Sequence, residues 1–151
     1  MNKRICSLIV TMMLMFILST SVFAVEATPS SDDTVSTYAS NYFSGSTGTM
    51  NSLSGKESTV FDISSGSIVD NAKVSSVTLN VNVSSGSEAF YLNVKHPDGS
   101  VVQHNITGTG SKSVTLTQFN DKNPKGTWKV SITSTGTVST ATARMTVNYT
   151  Y

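Results

Sequence analysis

The chain has 151 residues with ten basic and nine acidic side chains, a balance that gives no electrostatic reason to expect nucleic acid or an anionic membrane as partner. Its single cysteine, Cys6, lies in an N-terminal apolar stretch, so a chain without that stretch has no disulfide, thiolate zinc site or cysteine nucleophile. Serine and threonine make up 42 of the 127 residues from Val25 on, which favours strands and polar turns over long helices and leaves few ionisable groups for catalysis.

Residues 1–24 have the layout of a secretory signal peptide. Lys3 and Arg4 are followed by an apolar core over 5–18, then by small residues before a cleavage point after Ala24, with a second cut available after Ala27. A core of about 14 residues is short of the roughly 20 that span a bilayer, so cleavage and secretion are expected rather than anchoring. Removing Lys3 and Arg4 from the ten basic residues leaves eight against nine acidic ones. Residues 25–56 are Ser/Thr/Gly-rich without a sustained period, and are expected to form a flexible leader or linker. Tyr38, Tyr42 and Phe43 interrupt it. The simpler expectation is that they dock as a short element; the alternative is an exposed contact patch.

From Glu57 the pattern becomes β. A strand is expected over 58–63, with Phe61 and Ile63 inward, then a short apolar contact at Ile68 and Val69. In 74–83, Val77, Leu79, Val81 and Val83 alternate with Thr78, Asn80 and Asn82, the pattern of a sheet with one buried face. In 89–95, Phe90, Leu92 and Val94 point inward and Tyr91, Asn93 and Lys95 outward. His96-Pro97-Asp98-Gly99 is a turn that makes a hairpin with the strand ending at Ile106. Val114 and Leu116 face inward from 113–117, and Phe119 packs on the core. Pro124 and Gly126 form a tight turn before Trp128, Val130 and Ile132, which share one strand face. Trp128 is the only tryptophan and the natural centre of the core, provided its indole N–H finds an acceptor. A long strand over 140–151 ends the chain, with Ala141, Ala143, Met145, Val147 and Tyr149 inward. Seven or eight short strands with no helix predict an all-β, antiparallel, jelly-roll-like sandwich over 57–151.

The order of these elements resembles the P domain, the β-sandwich jelly roll that follows the catalytic domain of subtilisin-like proprotein convertases. The likeness is carried by 77–83 followed by Phe90-Tyr91-Leu92-Asn93-Val94, by the turn His96-Pro97-Asp98-Gly99-Ser100, and by Asn123-Pro124-Lys125-Gly126-Thr127-Trp128. Gly136-Thr137-Val138 fits the family's ending. The resemblance implies a domain that stabilises or positions a neighbour. The family's protease domain is absent from this sequence, so the resemblance does not carry over proteolytic activity. Glu88-Ala89-Phe90 stands where the family has an acidic residue in a Gly-Asp-Leu setting, so no calcium site is carried over.

The residues offer little chemistry. His96 and His104 flank a hairpin, with Asp98 the only near third ligand for a metal. No Gly-x-Ser-x-Gly elbow marks an activated serine. Asn120, Asp121 and Asn123 are the candidate oxygen ligands for calcium, and Asx-turns explain the same letters. Tyr91, Tyr38 and Tyr42, with Asn80, Asn82 and Asn93, are the candidate ligand contacts, by aromatic face and amide hydrogen bonding. Trp128, Val130, Ile132, Val77, Leu79, Val81, Leu92 and Val94 are the expected core. The expectation is a secreted binding or accessory module, without catalysis or cofactor, acting on an extracellular protein or cell-surface polymer. It does not insert in the membrane after cleavage. The alternative is a structural protein that self-associates through strand edges; a small hydrolase is a third reading.

Overall fold

The computed structural model describes residues 38–86 and 88–151; the expected signal peptide and the first part of the expected leader lie outside these residues. Nine strands run β1 Ser40–Ser46, β2 Met50–Leu53, β3 Phe61–Ser64, β4 Lys73–Ser85, β5 Phe90–Lys95, β6 Val101–Ile106, β7 Gly110–Leu116, β8 Thr127–Ser134 and β9 Val138–Thr150. Every pairing is antiparallel. The alternation seen in the sequence is the cause: from Val77 to Val83 in β4 and from Ala141 to Tyr149 in β9 each apolar residue points into the sandwich and each intervening polar one points out.

One sheet has the order β1-β9-β4-β7, with β2 also paired to β9; the other has the order β3-β8-β5-β6. β1 and β2 lie end to end along the same side of β9. Counted as one interrupted strand, they bring the total to eight. The sheets then hold the first, eighth, third and sixth strands and the second, seventh, fourth and fifth, which is jelly-roll order.

All eight expected core residues are buried between the sheets. Trp128, fully buried, is at the centre. Its indole Nε1 donates to Pro124 O at 3.0 Å, so the turn before β8 supplies the acceptor that burial requires. The His96 and Phe119 rings meet Trp128 edge-on, with centroids 4.6 and 5.2 Å away. Ile68, Ala72 and Tyr149 form a smaller cluster against Phe43; Val69 is exposed.

The structure moves the expected domain boundary. The sandwich does not begin at Glu57, because residues 40–46 and 50–53 of the expected leader are strands of the first sheet. They lack apolar alternation because their partners across the interior supply the bulk. A Cβ on Gly45 would lie 2.7 Å from Ile63 Cγ2, and one on Gly48 would lie 2.8 Å from Phe61 Cε1. Glycine makes room here for large residues of the facing sheet. Of the three aromatics, only Phe43 docks, 6.4 Å from both Trp128 and Tyr149 by ring centroid; Tyr38 and Tyr42 stay exposed. The expected 58–63 strand is shorter, starting at Phe61. Ahead of it, Ser58 lines the rim of β8, donating its N–H to Ile132 O and accepting Ile132 N–H on its hydroxyl.

Thr47 bridges the gap between β1 and β2. Its amide donates to Ala143 O at 2.8 Å, and its hydroxyl accepts Ala143 N–H at 2.8 Å. A side chain thus completes the ladder where the strand breaks. Thr47→Val keeps the volume but strands a buried N–H, and should lower unfolding free energy by about 1–3 kcal/mol in urea titrations. Thr47→Ser should recover most of that loss.

Candidate functional site

The outer face of the β3-β8-β5-β6 sheet carries the most organised polar surface. Register sets side chains in rows across it. Asn105, Tyr91 and Thr133 form the first row, Gln103, Asn93 and Ser131 the second, and Val101, Lys95 and Lys129 the third, which Asp62 extends. The second row is tied together. Gln103 Nε2 donates to Asn93 Oδ1 at 3.0 Å, and Asn93 Nδ2 donates to Thr133 Oγ1 at 2.9 Å and Ser131 Oγ at 3.4 Å. Ser131 Oγ donates in turn to Glu57 Oε1. An isolated bridge to Thr133 brings Glu57 to the edge of this face. Asn93 and Ser131 point away from the core yet are buried, because the neighbouring side chains close over them.

A shallow groove of about 300 Å³ follows this network, with Asn93 and Ser131 in its lining and Glu57, Val60, Lys95 and Lys129 around it. Tyr91, 41% exposed, stands one row beyond. The buried Asn93–Ser131 network holds the exposed Gln103 amide in place between an aromatic ring and two ammonium groups. That arrangement can bind an extended polar ligand.

The structure separates the predicted contact residues. Tyr91 and Asn93 share this face. Asn80 and Asn82 lie on the other sheet, opposite Ser113 and Ser111 of β7 and Arg144 and Thr142 of β9. Tyr42 is opposite Asn148 in that same sheet. Tyr38 borders a separate groove, of about 360 Å³, with Tyr151, Lys73 and Asp121. Glu57, Gln103 and Ser131 were not singled out from sequence. Outward parity marks Ser131 as surface-facing, but only the register between strands joins it to Asn93.

The histidine turn does structural work. His96 is buried and stacks on Phe119 with centroids 5.7 Å apart. Its Nε2 faces Asn123 O at 3.0 Å, which requires the proton on Nε2, and its Nδ1 accepts Asp98 N–H at 3.1 Å. Both ring nitrogens are therefore engaged. His104 lies exposed on β6, opposite Leu92. Ser100 Oγ donates to Asp98 Oδ1 at 2.6 Å and accepts from Lys122 Nζ at 2.8 Å, so no histidine faces it as a base. Gly126, at φ 126°, fits against this turn: a Cβ there would lie 2.8 Å from Pro97 Cβ.

Asn120, Asp121 and Asn123 sit in the loop beneath. Asn123 Oδ1 accepts Lys125 N–H, and its Nδ2 donates to Asp70 O at 3.3 Å. Asp121 has a φ of 65° and donates its N–H to Val74 O. The neighbouring carboxylates Asp98 and Asp70 hold Lys122 and Lys125, each at 2.7 Å. Among the described residues no group of three or more His, Asp or Glu is placed to hold a metal ion.

The Lys122 ammonium, then the Ser100 hydroxyl and amide, hold the Asp98 carboxyl well below the usual carboxylate range. A carboxyl depressed by folding adds stability above its unfolded value of 3.8 and loses that contribution as pH falls toward the folded value. Asp98→Asn should therefore melt a few degrees below the parent at neutral pH. The gap should narrow as pH drops from about 4 to about 2, as calorimetry across that range will report.

No family model and no curated protein matches the sequence. Among solved structures the chain is similar to that of FLHE, with a TM-score of 0.51 and 14% identity over 76% of this chain and 98% of that one. A Bacillus endospore appendage, from a family of disulfide-linked pili, gives 0.44 at 16% identity over 75% and 89%. The tomato aspermy virus structure gives 0.46 at 14% identity over 93% of each chain. The likeness to FLHE shows a shared fold and nothing finer.

Proposed function

We propose that this chain is a secreted, non-catalytic binding or accessory module that holds an extracellular polymer on the outer face of the β3-β8-β5-β6 sheet. One observation carries the reading. Asn93 and Ser131 are buried on an outward face and fixed by Gln103, Thr133 and Glu57, with Tyr91 exposed beside them. A solubilising surface has no need to lock its side chains in one arrangement, whereas a binding surface gains affinity from groups that are already ordered. The export half of the proposal rests on the signal-like 1–24 segment. The likeness to a P domain is part of the same proposal, supported by the 96–100 and 123–128 motifs and by the jelly-roll order.

Sedimentation with insoluble cell-wall and matrix fractions tests it. The protein should pellet with one of them, and Tyr91→Ala should weaken that retention at least tenfold. Tyr42→Ala, on the opposite face, should leave it unchanged. Retention insensitive to Tyr91 sinks this assignment of the face.

A second reading draws on the rim of the same sheet. β6 is an outer strand with no Lys, Arg or Pro, and Val101 on it is 53% exposed. Such an edge is a template for pairing with another copy. Sedimentation velocity should then show concentration-dependent oligomers that Val101→Lys dissolves.

A further inference from the structure

We propose that a groove at one end of the β1-β9-β4-β7 sheet is a binding site for a neutral sugar, separate from the face described above and independent of it. The groove, of about 360 Å³, is lined by Tyr38, Asn71, Lys73, Asp121, Thr150 and Tyr151. The β4–β9 register sets Thr150 beside Lys73. Backbone bonds between Ala39 and Tyr151, at 3.0 and 3.1 Å, place Tyr38 and Tyr151 at the rim. Val74 accepts the Asp121 N–H on its carbonyl and donates its own N–H to Lys122 O, which pins the loop against the start of β4, where Lys73 stands. The polar groups of this groove are unspent. Nearby, Lys122 holds Asp98 and Lys125 holds Asp70, but Lys73 and Asp121 enter no ion pair among the described residues. None of the lining side chains makes a hydrogen bond to another described residue.

Those free groups define the ligand. The Tyr38 and Tyr151 rings, 69% and 41% exposed, offer apolar faces. Tyr151 is steadied against Tyr149, with ring centroids 6.1 Å apart. Asp121 accepts hydrogen bonds and Lys73 donates them, while Asn71 and Thr150 do both. A ligand here must present an apolar face and, beside it, groups that donate at one atom and accept at the next. It must also be uncharged, since an anion meets the Asp121 carboxylate and a cation meets the Lys73 ammonium. A sugar ring has these properties: its C–H face lies against an aromatic ring, and each hydroxyl both donates and accepts. The volume is at the small end of the range for ligand sites, which suits a short saccharide. A zwitterion such as phosphocholine satisfies the two charges but leaves the Asn71 amide and the Thr150 hydroxyl without partners. A peptide gains no ladder from Ala39 and Tyr151, which already bond each other.

Calorimetry with short neutral oligosaccharides of glucose, mannose and N-acetylglucosamine tests the site, beside oligomers of glucuronate and glucosamine and phosphocholine. At least one neutral sugar should bind, with an affinity that changes little with salt. Tyr38→Ala, Lys73→Gln and Asp121→Asn should each weaken it at least tenfold. Asparagine accepts the left-handed backbone at φ 65°, and Tyr38 lies outside the strands, so these variants should melt with the parent. Tyr91→Ala, on the other sheet, should bind the sugar as the parent does. No neutral sugar bound by the parent overturns the inference. Tighter binding of the charged oligomers or of phosphocholine overturns the sugar assignment. Neutral-sugar binding that survives all three groove variants overturns the site; if it falls with Tyr91→Ala instead, the sugar belongs to the face proposed above.

Discussion

A chain begun at Glu57 should fail to unfold cooperatively, while one begun at Tyr38 should behave as the whole protein does. The shorter chain loses β1 and β2, of seven and four residues, and with them the pairing along one side of β9. It also loses Met50, which is fully buried, and the Phe43 ring against Trp128. Removing a buried methionine side chain alone costs about 2–5 kcal/mol. That is a large part of the 5–15 kcal/mol typical of a whole domain. The uncovered side of β9 then becomes an open edge over thirteen residues, a ready template for aggregation. Gel filtration and thermal circular dichroism of the two chains make the comparison. A sharp, reversible transition in the Glu57 chain would return β1 and β2 to the status of a leader.

Trp128→Ala should be the most damaging single substitution. The side chain is fully buried, and its removal leaves a cavity faced by His96, Phe119 and Phe43. Truncation of such a residue costs about 3–5 kcal/mol. Pro124 O also loses its donor, which loosens the turn that orders the loop. Trp128→Phe keeps much of the volume and should fall between the two. Urea midpoints by circular dichroism give the series, and the parent's tryptophan emission should shift to the red only on unfolding. A loss under about 1 kcal/mol for the alanine variant would displace Trp128 from the centre of the core.

The parts of the fold legible in sequence are the strands with one wet and one dry face. β4, β5, β8 and β9 alternate cleanly because both kinds of neighbour lie on fixed sides. β1 and β2 were hidden because Gly45 and Gly48 leave the filling of the interior to Ile63 and Phe61, and no local pattern records a partner so far along the chain. The site was half legible for a related reason. Alternation marks Tyr91, Asn93, Asn80 and Asn82 alike as outward, but it does not say which sheet each strand joins. Pairing places the first two on one face and the last two on the other. Glu57 reaches the site from outside any strand, so its role follows only from the bridge to Thr133.

β9 has a consequence for when the molecule can close. It lies between β1 and β4, yet it follows every other described strand in chain order. Until β9 is in place the first sheet lacks its middle: β4 and β7 pair with each other, but nothing joins β1 and β2 to them. Premature closure is thereby disfavoured by topology alone.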